Sequence, residues 1–157
     1  MHAIEMITAP EAYLLLFLWV FAEQIGLPLP AAPALLSAGA IAARGRLHLV
    51  PLIAVALTAS VLADFMWYSA GSSGSAAANR FLLRHPESRV LQSAKHLFAR
   101  YGSRSLVFAK FVPGLSLAAP PFSGLLAIAV PQFLLFDGLG SLVWAGSFIG
   151  IGYLLGR

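Results

Sequence analysis

The chain has 157 residues, of which 59% are hydrophobic and only 10% charged, and it carries no cysteine. A mean hydropathy of +0.84 is far outside the range of a soluble domain, so the chain is expected to be an integral membrane protein. The missing cysteines exclude disulfides, thiol chemistry and Cys-ligated metals, and the net charge of +4 in so apolar a chain points to loop cations facing anionic lipid rather than to nucleic acid.

Residues 10–25 form the first apolar run, which closes on Glu23 and Gln24. The N-terminus carries Glu5 and Glu11 instead of a basic region, so it does not read as a cleaved signal peptide. The run is short for a full crossing, which takes about 20 residues, so its end is expected inside the membrane. Pro28, Pro30 and Pro33 then interrupt the chain before a small-residue helix over 34–43 that contains Gly39. Together these make a first candidate hairpin.

Residues 49–70 read as the cleanest transmembrane helix. Pro51 suits its first turn, and Ala54, Ala56, Ala59, Ser60 and Ala63 permit close packing in lipid. A Gly/Ser break follows at 71–75. The segment 76–104 interleaves Arg80, Arg84, Arg89, Lys95, Arg100 and Arg104 with apolar residues, the pattern of a surface-lying amphipathic helix pair with Pro86 at its junction. Six of the ten Lys/Arg lie there, which places that segment in the cytoplasm.

Residues 105–128 place Lys110 in apolar sequence broken by Pro113, Gly114, Pro120, Pro121 and Gly124. Each proline removes a donor and restricts its predecessor, so the middle is expected not to stay helical. Broken backbone at bilayer depth is tolerated only inside protein or beside a watery cavity, hence a second, re-entrant hairpin. A last apolar run, 131–155, contains Asp137 and Trp144.

The chain thus reads twice: an entering element, a broken hairpin ending in a small-residue pair (Gly39, then Gly124), and a helix opened by Val-Pro (Pro51, then Pro131). This predicts an all-α membrane protein in which transmembrane helices accompany two opposed re-entrant hairpins as an inverted repeat. Paired broken segments point to a transporter site near mid-membrane. Within one membrane domain, 1–157, the parts are 10–48, 49–71, 76–104, 105–128 and 131–155.

Intramembrane charges are functional candidates by default. Lys110 reads as an anion contact, helped by free amides around Gly114 to Ser116; the alternatives are an ion pair with Glu23 or Asp64 and snorkelling to the surface. Glu23 and Asp64 would carry protons or balance charge, and a carboxylate in low dielectric can load a proton near neutral pH. Asp137 reads as interfacial. Ser37, Ser116 and Ser123 would satisfy freed backbone groups. Trp19 and Trp67 read as interface anchors, while Trp144 reads as an anchor or a bundle residue. The scattered His2, His48, His85 and His96 show no metal-ligand spacing, and no nucleophile–base pair is visible. Neither enzymatic activity nor a metal or cofactor is expected.

The residues resemble the DedA family, whose eukaryotic relatives carry the VTT (SNARE-associated Golgi protein) domain. The likeness runs from about residue 21 to 156. It rests on Glu23 with 26–30 and Ala38-Gly39, on Leu62-Ala63-Asp64 with Tyr68 and Gly71, on Tyr101-Gly102, on 110–114 with Ser123-Gly124, and on Trp144 with Gly152-Tyr153 and Gly156. The resemblance implies proton-dependent transport in a bacterial inner membrane, multi-pass, with an anionic lipid such as a polyprenyl phosphate or phospholipid as cargo. Membrane lipids and protons are the partners it implies, self-association is compatible with it, and nucleic acid is not. Small-solute transport and a non-transporting scaffold are the rival functions. The family pattern implies acids in the first hairpin and arginines in the second. Glu23 matches the first acid, but Ala32 stands at the second, and Lys110 and Ser116 stand at the two arginines. A lysine is a point charge where an arginine would grip a phosphate bidentately. The family commonly continues into a further membrane helix, and this sequence ends at Arg157.

Overall fold

The computed structural model describes residues 8–76, 80 and 89–157. Among these, all regular structure is helical: α1 (Ala9–Gln24), α2 (Ala31–Ala43), α3 (Leu49–Ser72), α4 (Arg89–Tyr101), α5 (Ser105–Ala109), α6 (Leu115–Leu125) and α7 (Val130–Gly156), with one 3-10 turn, Gly102–Arg104, ahead of α5. α3 and α7 are long and apolar enough to cross a membrane. Arg84 and Pro86, and with them the helix expected before that proline, lie outside the described residues.

Both long helices open as their Val-Pro starts predict, because a proline in the first turn gives up no intrahelical bond. Two expectations about proline fail. α2 begins at Ala31, so Pro33 falls inside its first turn, where no amide donor is needed. α6 runs straight through Pro120 and Pro121. The two prolines cost it the usual bonds to the Ser116 and Leu117 carbonyls. Burial offsets that loss: every residue from Ala118 to Gly124 is buried, and the buried Ser123 hydroxyl donates to the Pro120 carbonyl at 2.6 Å.

The packing explains the glycines. A Cβ on Gly71 would land on the Pro121 carbonyl oxygen, and one on Gly124 would land on that of Tyr68, so α3 and α6 cross backbone to backbone. Gly39 and Gly152 stand in the same relation to the Ile149 and Leu36 carbonyls at the α2–α7 crossing. In all four cases the glycine lies three residues beyond the carbonyl that its opposite number approaches. One core cluster joins α1, α2, α3 and α7 around Leu35, Leu52 and Ile149. A second joins α4, α5, α6 and the start of α7 around Leu106, Leu115 and Phe133. α4 buries Leu91, Ala94 and Phe98, with the Phe98 ring edge-on to Phe122 at 5.4 Å, and leaves Arg89, Lys95 and Arg100 exposed.

Candidate functional site: a buried charge centre between the long helices

α3 carries Ser60 and Asp64, and α7 carries Asp137 and Ser141. Each pair is spaced i, i+4 and so shares one helix face, but the order of the two residue types is reversed. The helices run antiparallel where these faces meet, since the Ser60 and Ser141 hydroxyls lie 3.0 Å apart and Asp64 faces Asp137. Lys110, at the C-terminal end of α5, enters from the side. Gly140 admits it: a Cβ there would stand 2.9 Å from the Val107 Cα, so α5 lies directly on the α7 backbone.

The Lys110 ammonium pairs with Asp64, donates to the Ser60 hydroxyl at 2.9 Å and stands 3.8 Å from Asp137 Oδ1. Asp64, Asp137, Ser60 and Ser141 are fully buried, and Lys110 is 6% exposed. The charges do not balance. One ammonium faces two carboxylates, and Asp64 Oδ1 and both Asp137 oxygens receive no hydrogen bond from the protein. An uncompensated buried charge is expensive. Two ionised carboxylates hold no hydrogen to share, so an added proton is what would join them.

Glu23, in the last turn of α1, lies within electrostatic range of Lys110 and Asp64. Its Oε1 accepts the Ala31 amide at 3.2 Å, capping the start of α2, and its Oε2 is buried without a donor. The structure therefore brings Glu23, Asp64 and Lys110 into one neighbourhood. Gly114 and Ser116 sit apart at the exposed turn into α6, where Gly114 has φ +82°. Two of the amides expected to be free there are occupied, because Leu115 and Ser116 both donate to the Val112 carbonyl, at 3.1 and 3.2 Å. Asp137 is a correction in the other direction: it is buried against Lys110, not interfacial. The reversed Ser/Asp spacing on the two long helices was the sequence signal for it and for Ser141.

The Trp19 indole donates to the Pro30 carbonyl at 3.1 Å, which fastens α1 to the turn before α2. Trp144 is buried and meets Phe148 edge-on at 6.0 Å. Tyr68, one turn beyond Asp64, bonds the Ile128 carbonyl and stacks on Phe133 at 4.4 Å.

A family model for the VTT domain matches residues 29–154, which takes in α2 through α7 and all of the charge centre except Glu23. The chain belongs to the VTT-domain, or DedA, family. Its relatives include the uncharacterized membrane protein slr0232 of Synechocystis sp., 28% identical over all of this chain and 73% of that protein. The uncharacterized membrane protein Rv2637 of Mycobacterium tuberculosis is 29% identical over 92% of this chain and 69% of its own length. Inner membrane protein YghB of Escherichia coli K12 is 27% identical over 91% of this chain and 67% of its own. No solved structure matches the chain. This VTT-domain member is thus a membrane protein, and Asp64, Lys110 and Asp137 lie buried inside the bundle.

Proposed function

We propose that this VTT-domain chain is a proton-coupled transporter of an anionic lipid, a polyprenyl phosphate or a phospholipid, in a bacterial inner membrane. The observation that carries the reading is Lys110 held between Asp64 and Asp137 at the antiparallel contact of the two long helices. While both acids are ionised they occupy the ammonium. Protonating them neutralises its partners and frees it to hold a phosphate, so loading protons and loading an anion become one event. Glu23 stands where protons would pass between this centre and the α1–α2 turn.

On this reading α1–α2 and α5–α6 are re-entrant elements entering from opposite faces. The inverted repeat is supported by the antiparallel α3 and α7, by the Ser60–Ser141 pair at their contact, and by the equal spacing at the two glycine crossings. α4 would rest its cations on the cytoplasmic surface.

The test is translocation of a fluorescent polyprenyl phosphate in proteoliposomes, with and without a pH gradient. The expected result is gradient-dependent movement that Lys110→Ala abolishes and Asp137→Asn uncouples from the gradient. A folded protein that moves no lipid under either condition overturns the lipid reading. One observation favours a second reading, transport of a small solute with protons: the charge centre is enclosed, with Asp64 and Asp137 fully buried. Solute uptake without lipid movement in the same vesicles would select it.

A further inference from the structure

Lys110 stands between two acceptor sets of the same make-up: Ser60 with Asp64 on α3, and Asp137 with Ser141 on α7. Because the order of the two residue types is reversed on antiparallel helices, hydroxyl meets hydroxyl and carboxyl meets carboxyl. Only the α3 set is in use. Lys110 pairs with Asp64 and donates to the Ser60 hydroxyl at 2.9 Å. The α7 set is empty, since neither oxygen of Asp137 receives a hydrogen bond and Ser141 is bonded to Ser60 at 3.0 Å. An ammonium has three hydrogens, so Lys110 keeps one for a further acceptor. Asp137 Oδ1, at 3.8 Å, is out of reach. A movement of about 1 Å would bring it to the length of a charge-assisted hydrogen bond.

We propose that Lys110 has two resting positions, one on Asp64 and one on Asp137, and that its choice decides whether α3 is tied to α7 through it. The two positions differ in what they join. α5 lies on α7, where a Cβ on Gly140 would stand 2.9 Å from the Val107 Cα, so Lys110 and Asp137 belong to one packed surface. On Asp64 the ammonium reaches across to α3. On Asp137 it closes onto the helix that α5 already rests on, and the Ser60 and Ser141 hydroxyls are left as the polar link between α3 and α7 at this point. Whichever acid is neutral loses the lysine to the other. Among the described residues, the charged groups that bear on the choice are Asp64 from α3, Asp137 from α7 and, at longer range, Glu23 from α1. The exchange needs no cargo, so it stands or falls apart from transport.

The composition makes the test clean. The chain has two aspartates, Asp64 and Asp137, and two lysines, of which Lys95 lies exposed on α4. The full chain in lipid bilayers, labelled with ¹³C at the aspartyl carboxyls and ¹⁵N at the lysine ammoniums, therefore gives two signals of each kind. Solid-state NMR dipolar recoupling then reads which carboxyl lies beside Lys110. In the natural sequence the strong contact is expected with Asp64. Asp64→Asn should move it to Asp137, whereas Asp137→Asn should leave it where it was. Nitroxide labels on Leu62→Cys and Leu139→Cys, both exposed in a chain without native cysteine, report the α3–α7 separation. That separation should widen in Asp64→Asn and not in Asp137→Asn. Should Asp64→Asn fail to fold, Ser60→Ala weakens the α3 set alone and should raise the contact with Asp137, while Ser141→Ala should not. A lysine that touches neither carboxyl in the Asp64→Asn protein, or that sits equally on both in the natural sequence, overturns the two positions. A contact that moves while the label separation stays fixed overturns the tie between the helices.

Discussion

Replacing Lys110 by methionine keeps an unbranched chain of similar length and removes one charge. The ammonium has three partners in the structure: Asp64, the Ser60 hydroxyl and, at 3.8 Å, Asp137. None of the three is solvent-accessible, so water cannot replace what is lost. Removing one member of a buried ionic group costs about 3–5 kcal/mol. For a chain of this size each kcal/mol moves Tm by roughly 2–4 °C, so Lys110→Met should unfold about 6–20 °C below the natural sequence. The assay is thermal unfolding in detergent followed by fluorescence-detected size exclusion. The triple change Lys110→Met, Asp64→Leu, Asp137→Leu removes the whole group, and buried ion clusters replaced by apolar residues are often neutral or more stable by about 1–4 kcal/mol. It should recover most of the lost Tm and still not transport. A single variant within about 2 °C of the natural sequence would refute the reasoning, since that is less than 1 kcal/mol at this size. A triple variant that transports would leave the centre a structural tie and remove it from proton and anion coupling.

Two further predictions concern the helices themselves. Gly71→Ala drives a methyl group into the Pro121 carbonyl and should cost about 1–3 kcal/mol or more through overpacking, whereas Gly146→Ala, with nothing within 4 Å, should be neutral or stabilising by up to about 1 kcal/mol; equal Tm values for the two would show that the α3–α6 crossing is looser than described. At the start of α1 the Thr8 amide donates to Glu11 at 2.8 Å and holds that carboxyl below its ordinary value. The contribution to the first turn is therefore complete above the ordinary carboxylate range and is lost as pH falls through the lowered value. Glu11→Ala should speed amide exchange over residues 9–12 at neutral pH with no effect at α3, and unchanged exchange would remove the cap.

The parts of this fold that were legible in the sequence are those fixed locally. Pro51 and Pro131 marked two helix starts because a first-turn proline needs no partner elsewhere. Lys110 and Asp64 stood out because charges in apolar sequence must be accounted for. What was not legible depended on a neighbour. Pro120 and Pro121 stay helical because α3 covers them and burial offsets two lost bonds, which nothing within 105–128 records. The depth of Asp137 depends on α5 covering that face of α7, and α5 can lie there only because residue 140 is a glycine. The Val112 carbonyl takes the amides of Leu115 and Ser116 through a turn that needs Gly114 at φ +82°, so a loop that looked open to an anion closes on itself.

The two glycine crossings also decide what can move. Where backbones interlock, a helix cannot slide past its neighbour without first separating from it, so α2 is keyed to α7 and α6 to α3. Each of these short helices is thereby keyed to a long helix from the opposite half of the chain, which makes two crossed pairs. The pairs meet at Ser60 and Ser141, with Asp64 on one and Asp137 on the other. Lys110 rides on α7 through Gly140 yet clasps Asp64 on α3, and the chain passes from one pair to the other within four residues, 111–114. The lysine is thus a clasp between the two pairs, set beside the glycine turn that joins them.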